Sequence, residues 1–489
     1  MGASLRSRLA LGALVALSTG CAVGPDFDRP KPPPETALKA NTSATAAASG
    51  VGGDAQRFVS ESDIPAKWWE LFHSEKLDRL IEQALKANPT VTSAQAALRQ
   101  ARETLYAQEA QFFPTITANF AASRNKQSQQ LAPFLANNVL LYNWYTPQLS
   151  VSYVLDIWGA NRRQVESLQA EADYQRFQLE ATYLTLAGNV AVNAIQEASL
   201  RGQIAATERL VRLQHELTGR VERQHTLGTA SEVDLLTQQT AEAQTVATLP
   251  PLQKQLRQTR DALTALLGRL PVEEPNETFL LDDLTLPHDL PLSLPSKLVE
   301  QRPDIRSAEE LLHAATAQVG VAVAAMLPNI TLSANIGSNA AAADQLFQPG
   351  NGFWSVVGSL DQTVFDAGAL IHKRRAADAA MDEAAAEYRS TVITAFQNVA
   401  DSLHALHADA DALEASANAD VATKKTFELA SRQYGLGTIS YVALLSAEQT
   451  YRQAELAMVQ AEANRYSDTA GLFQSLGGGW WNRPPEESQ

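Results

Sequence analysis

The chain repeats one plan at long range, and that repetition constrains its fold more than any other feature of its 489 residues. Asn88-Pro89-Thr90-Val91-Thr92-Ser93-Ala94 aligns with Arg302-Pro303-Asp304-Ile305-Arg306-Ser307-Ala308, 214 positions later. Phe113-Pro114-Thr115-Ile116-Thr117 aligns with Leu327-Pro328-Asn329-Ile330-Thr331 at the same spacing. Leu227-Gly228-Thr229-Ala230-Ser231 aligns with Leu436-Gly437-Thr438-Ile439-Ser440 at 209 positions, and Gly159 with Gly368 likewise. The change of spacing falls inside 118–158 and its counterpart, which marks a loop, because loops absorb insertions that packed elements reject. Two copies are expected, over 61–290 and 291–476.

Each copy reads as a helix, two strands, a very long helix, a tight turn and a returning helix. Leu77, Leu80, Ile81, Ala84 and Leu85 recur at helical spacing. Strands are expected within about 113–157 and 327–365. Ile116, Ala118 and Phe120 alternate with Thr115, Thr117 and Asn119, and Leu149, Val151, Tyr153 and Leu155 with Gln148, Ser150 and Ser152. Ile330, Leu332, Ala334 and Ile336 oppose Asn329, Thr331, Ser333 and Asn335. The fourth run is weaker: Trp354, Val356 and Leu360 share one face, and Val357 breaks the polar one.

Long helices are expected over about 160–268 and 368–475. Residues 160–226 contain no proline, and 369–434 neither proline nor glycine; at 1.5 Å per residue each could reach roughly 100 Å. Rods of that length cannot fold back into a globule around four short strands. In lipid every backbone group must be bonded, so strands survive only in a closed barrel. Known single-chain barrels begin at about eight strands, so four per chain require more than one copy. Tyr142, Trp144, Tyr145, Phe353 and Trp354 suit a headgroup-level aromatic girdle.

The N-terminus carries an export signal over 1–20: Arg6 and Arg8, the apolar run Leu9 to Leu17, then small residues. Leu17-Ser18-Thr19-Gly20-Cys21 resembles a bacterial lipoprotein signal, with Leu one position earlier than usual, and makes Cys21 the lipidation candidate. Residues 21–60 read as a lipid-anchored strap, loosely ordered through the Ala-, Thr-, Ser- and Gly-rich stretch Lys39 to Gln56, and 477–489 as a tail. Cys21 is the single cysteine, which rules out an intrachain disulfide and a Cys-based metal site. Loss of Arg6 and Arg8 with the leader leaves 37 basic against 54 acidic residues, a net −17. That balance argues against nucleic acid as a partner.

Several motifs together resemble one family. Val23-Gly24-Pro25-Asp26-Phe27-Asp28-Arg29-Pro30 follows the cysteine, and Trp68-Trp69-Glu70-Leu71-Phe72 precedes the first helix. Tyr153-Val154-Leu155-Asp156-Ile157-Trp158-Gly159 leaves the first hairpin, and Gln301-Arg302-Pro303-Asp304-Ile305 opens the second copy. In this order, across essentially the whole mature chain, they resemble the outer-membrane factor family: the TolC-like ducts of resistance-nodulation-division (RND) efflux systems, in the lipoprotein (NodT-type) branch. The resemblance implies an α+β membrane protein, with four strands per protomer completing a twelve-stranded barrel shared by a homotrimer. Beneath it would lie a periplasmic α-helical barrel, with an equatorial belt that includes Pro250-Pro251 and the Pro-rich stretch 271–295. It also implies a periplasmic adaptor (membrane-fusion) protein, an inner-membrane RND pump and outer-membrane lipid as partners.

No catalytic constellation, phosphate-cradling loop or cofactor motif is present in the sequence, so an enzyme is not expected and energy must come from a partner. His404 and His407 share a helix face without an obvious third ligand and read as a surface pair. The informative positions are the two turns, Leu227-Gly228-Thr229 and Leu436-Gly437-Thr438. A glycine there stops one helix, and Thr229 or Ser231, and Thr438 or Ser440, can cap the next. The same tips resemble the family's adaptor-docking motif. Relatives often carry an Arg after the tyrosine matching Tyr434 and an Asp at Ser446; here Gly435 and Ser446 offer no charge-pair latch. Glu232, Asp234, Tyr434 and Tyr441 are then the polar candidates for the periplasmic aperture. Two competing functions are a duct for type I protein secretion and a non-channel coiled-coil lipoprotein. The lipoprotein signal favours efflux over the first, and the four alternating strands oppose the second.

Overall fold

The computed structural model describes residues 22–33, 43–60, 62–126, 128, 140–292 and 295–483. Cys21 and the export signal lie outside the described residues. Six strands are described: β1 (Arg57–Ser60), β2 (Thr115–Lys126), β3 (Leu141–Leu155), β4 (Asp289–Leu292), β5 (Asn329–Ser338) and β6 (Gly352–Asp361). The helices are α1 (Glu75–Ala87), α2 (Pro89–Glu109), α3 (Ala160–Thr226), α4 (Glu232–Val246), α5 (Leu249–Leu266), α6 (Pro295–Gln301), α7 (Pro303–Ala324), α8 (Ala369–Gly435) and α9 (Tyr441–Ser475). Helices α3 and α8 are each 67 residues long. No helix among the described residues is long and apolar enough to cross a membrane.

The chain gathers into two compact units, each drawn from both halves of the sequence. The first (1–29, 98–175, 308–388) holds one antiparallel sheet in the order β2-β3-β5-β6. Its register turns the alternation along each strand into rows across the sheet. Ala118, Leu149, Ile336 and Trp354 stand side by side, and the next row, Thr117, Ser150, Asn335 and Ser355, faces the other way.

The second unit (30–97, 176–307, 389–489) contains the main hydrophobic core. Leu77, Leu80, Ile81 and Ala84, one face of α1, are buried in it. Trp68 stacks on Phe473 at 5.5 Å, and Phe72 and Tyr466 pack beside them. Burial of aromatic rings of this size contributes about 2–3 kcal/mol each.

Two features of this unit differ from the sequence expectation. Strands β1 and β4 form a parallel pair that no alternation announces, because each is only four residues long. Residues 43–56, expected to be loosely ordered, are pinned. Gln56 donates from Nε2 to the Pro287 carbonyl and to Thr469 Oγ1, both at 3.1 Å. The fully buried Arg465 reaches Thr45 Oγ1 at 3.0 Å and the Asp54 carbonyl at 2.7 Å. A polar, small-residue segment can be fixed by a few directed bonds that composition does not reveal.

The two returning helices also differ. In the first copy the return breaks between α4 and α5, where Pro250 and Pro251 occupy the first turn of α5, the place a helix tolerates a missing N–H. In the second copy α9 runs 35 residues without interruption.

Candidate functional site

The two turns between long helices are closed by the same bonds, made by residues 209 positions apart. Gly228 (φ +75°) and Gly437 (φ +72°) take the left-handed conformation that ends α3 and α8. Gly228 N–H donates to the His225 carbonyl and Thr229 N–H to the Gln224 carbonyl; Gly437 and Thr438 do the same to Tyr434 and Gln433. This paired pattern satisfies the last carbonyls of each helix. The hydroxyls of Thr229 and Thr438 add bonds of 3.0 Å to those same Gln224 and Gln433 carbonyls. The threonines therefore finish the preceding helix, and the serines start the next. Ser231 Oγ accepts from Asp234 N–H at 3.1 Å, and Ser440 Oγ from Ala443 N–H at 3.3 Å. Leu227 and Leu436 stand exposed at the ends, 77% and 78% accessible.

The four aperture candidates fall into different roles. Glu232 is exposed. Asp234 closes a capping box with Ser231, whose hydroxyl and N–H hold its carboxyl below the ordinary value. Tyr434 is half-buried, and burial followed by the Asp234 charge raises its phenol. Tyr441 turns inward, 7% exposed, with its ring 5.7 Å from that of Tyr434 and its hydroxyl without a partner.

Behind the tips lies a buried polar cluster that the sequence did not announce. Gln238 of α4 donates from Nε2 to Gln214 Oε1 of α3 at 2.6 Å, and Gln214 Nε2 in turn donates to Glu448 of α9. Glu448 is 1% exposed, and its Oε2 has no partner. Burial holds its carboxyl up at about 7, against the pull of Arg452 and of the Gln214 bond. The surrounding apolar cluster of the tips is small: Leu217, Phe427, Ala430 and Leu444. A glutamate in an Ala- and Gln-rich helix looks like part of a solvated face, so no local signal marks Glu448.

In the sheet, Ile116, Phe120, Ile336, Trp354 and Val356 lie on one exposed face. The outer edges of β2 and β6 have no strand partner among the described residues. Tyr142 and Trp144 of the expected girdle pack edge to face at 6.3 Å, but strand alternation places them and Phe353 on the face of Thr117, Ser150 and Asn335, opposite Tyr145 and Trp354, so the five do not form one lipid-facing girdle. His404 is exposed, and His407 packs its ring 5.5 Å from Phe58. Among the described residues no cluster of three or more His, Cys, Asp or Glu forms a metal site.

Comparison with known proteins gives a consistent result. The family model described as outer membrane efflux protein matches residues 80–269 and 294–478. The pyoverdine export outer membrane protein OpmQ of Pseudomonas putida is 30% identical over 423 residues, covering 85% of this chain and 88% of that protein. The toluene efflux pump outer membrane protein TtgC of Pseudomonas putida is 28% identical over 496 residues, covering 99% of this chain and 98% of that protein. Among solved structures, the outer-membrane channel OprN superposes with a TM-score of 0.83 at 28% identity, covering 94% of this chain and 100% of that one.

Proposed function

The chain belongs to the outer membrane efflux protein family, and from that premise we propose that three copies of it close one twelve-stranded barrel in the outer membrane. It is an outer-membrane exit duct of an efflux system. In the proposed assembly the long helices of the three copies form the periplasmic tunnel. An inner-membrane RND pump selects the cargo and supplies the energy. A periplasmic adaptor meets the duct at Leu227-Gly228-Thr229 and Leu436-Gly437-Thr438, and an acylated Cys21 anchors each copy in outer-membrane lipid. The cargo is drugs or other small molecules.

The sheet is the observation that carries this reading. One face is mainly apolar, the other carries Thr, Ser and Asn together with Tyr142, Trp144, Val154, Phe353 and Val357, and both edges lack strand partners among the described residues. An apolar face of this extent is stable against lipid, and the polar face against water. Free edges in lipid demand further strands, and identical copies supply them. The test is cross-linking of detergent-purified protein, followed by planar-bilayer recording. Cross-linking that ends at trimer, with stable conductance steps, supports the assembly. Cross-linking that ends at dimer, or bilayers that stay silent, sinks it.

A further inference from the structure

Strands β2 and β3 run on past the rest of their sheet, and the loop between β5 and β6 folds against the base of that projecting hairpin. The pairing of β2 with β3 reaches Lys126 and Leu141, whereas β3 pairs with β5 only as far as Gln148 and Gly337. At the base, Tyr145 and Ala340 exchange backbone hydrogen bonds of 2.9 and 3.1 Å, and Thr146 donates its hydroxyl to Asn339 Oδ1 at 2.9 Å. Ser338, on the same face as Ile336, donates its hydroxyl to the carbonyls of Leu346 and Asn351. The Asn351 side chain in turn donates to the Gln345 carbonyl at 2.7 Å. These bonds fix the loop as a wall on the apolar face of the sheet.

Between wall and sheet lies a groove of about 820 Å³. Ala118, Phe120, Leu149 and Ile336 line it from the strands, and Leu346 and Phe347 from the loop. Its size is that of sites enclosing one small, largely apolar ligand, roughly 300–1,000 Å³. Phe347 is 88% exposed, an arrangement favoured where the surroundings are hydrocarbon.

Along the projecting hairpin the same face changes from apolar to cationic. Ile116, Ala118, Phe120 and Ala122 alternate onto it and are followed by Arg124 and Lys126, both exposed. At 3.4 Å per residue the two cations stand about 14 and 20 Å beyond Phe120. Tyr145, opposite Ala122, sits between groove and cations, where an aromatic ring suits the headgroup boundary. Neither β2 nor β3 carries an acid, and the loop 339–351 carries one, Asp344. The helices join these strands at the opposite end, after Glu109, before Ala160 and after Ala324.

We propose that this face holds lipopolysaccharide, with one acyl chain in the groove beside Phe347 and the phosphates of the same molecule at Arg124 and Lys126. The inference rests on the barrel reading above, which turns the helices to the periplasm and this end of the sheet to the outer leaflet. The order of chemistry along β2 matches such a lipid from tail to head. The groove alone would accept any hydrocarbon, and the cations select an anionic lipid. Arg124 and Lys126 lie about 7 Å apart along the strand, which suits a head carrying more than one phosphate.

The experiment places the photoreactive benzoylphenylalanine at Phe347 and, separately, at Phe365, which is equally exposed beyond the other end of β6. Cells are irradiated, and the purified full-length trimer is probed with antibody to lipopolysaccharide and by mass spectrometry of the attached lipid. A lipopolysaccharide adduct is expected at Phe347 and none at Phe365. Lipopolysaccharide that co-purifies with the wild-type trimer should fall several-fold in the Arg124→Gln, Lys126→Gln double variant, at unchanged trimer level. A phospholipid adduct alone at Phe347, equal adducts at both positions, or cross-linking of Phe347 to a neighbouring copy in place of lipid overturns the seat. So does an unchanged lipopolysaccharide yield in the double variant. Each of these leaves the barrel standing. A wild-type chain that fractionates away from the outer membrane overturns the barrel reading and this inference together.

Discussion

The hydroxyl of Tyr434, in the last turn of α8, donates a 3.2 Å hydrogen bond to Gln224 Oε1, in the last turn of α3. The Gln224 backbone carbonyl is the one that closes the first tip. One side chain therefore ties the end of the second long helix to the closing residue of the first. Gly435 and Ser446 carry no charge, and the tie between the two tips is this neutral bond.

Tyr434→Phe removes the hydroxyl and keeps the ring packed near Tyr441. The loss of one neutral hydrogen bond costs about 1 kcal/mol. Trimer yield should be unchanged, and the isolated duct should conduct more in planar bilayers. Gln224→Leu should do the same, and the double variant should add little, because both remove one bond. Additive effects of the two changes would show that they act separately.

Glu448 gives the tips a pH dependence. Its folded value of about 7 stands above the ordinary 4.5, so between these values the native protein keeps a proton that the unfolded chain has released. The stability linked to this group is full below about pH 4.5 and falls as pH rises to about 7, by roughly 3 kcal/mol per protomer. Glu448→Gln keeps an oxygen to accept from Gln214 and cannot ionise. Thermal melts of the detergent-solubilised protein should show the wild type losing stability between pH 5 and 8, with that loss reduced in the variant. Identical pH profiles would mean that Glu448 does not titrate in this window.

What could be read from the sequence follows from how far each signal extends. Three of the four strands were legible because their alternation holds over six to eight residues, the fourth less so because Val357 breaks it, and the register aligns Ala118 with Leu149, Ile336 and Trp354. The long helices were legible from missing prolines, and the tips from Gly228 and Gly437. The β1–β4 pair and the pinning of 43–56 were hidden because they depend on contacts such as Gln56 to Thr469, which lie 413 positions apart. Glu448 was hidden for the same reason: its partner Gln214, and Gln238 which bonds to Gln214, reside on other helices, and no local pattern separates it from a solvated glutamate.

The mouth should prefer cations. Glu232 is exposed beside the first tip, and Asp234 stays ionised because Ser231 holds its carboxyl low. Three copies around one axis would concentrate negative charge where ions enter. Reversal potentials in a KCl gradient should indicate cation selectivity, weakened by Glu232→Gln and weakened more at high salt as screening shortens. Anion preference in the wild type would place these acids away from the conducting path.

The tips separate folding from docking unusually well, because an added side chain there meets open space. A Cβ built on Gly228 or Gly437 finds nothing within 4 Å, so the first side-chain atom added there meets no part of its own protomer. The remaining penalty is the left-handed backbone, φ +75° and +72°, which costs a non-glycine residue roughly 1 kcal/mol. Second-unit packing around Trp68, Phe72 and Phe473 is untouched by such a change. If the tips serve only to reverse the chain, Gly437→Trp should lower the melting temperature slightly and leave resistance intact. If they are the adaptor's landing surface, the indole holds the adaptor's backbone away from Leu436 and Thr438. We expect the second outcome: normal amounts of outer-membrane trimer by immunoblot, with cells sensitised to the pump's substrates to nearly the level of a deletion strain. Gly228→Trp should act in the same direction. Full resistance in both variants, with trimer at wild-type levels, would remove the adaptor from these tips and leave the glycines as helix stops alone.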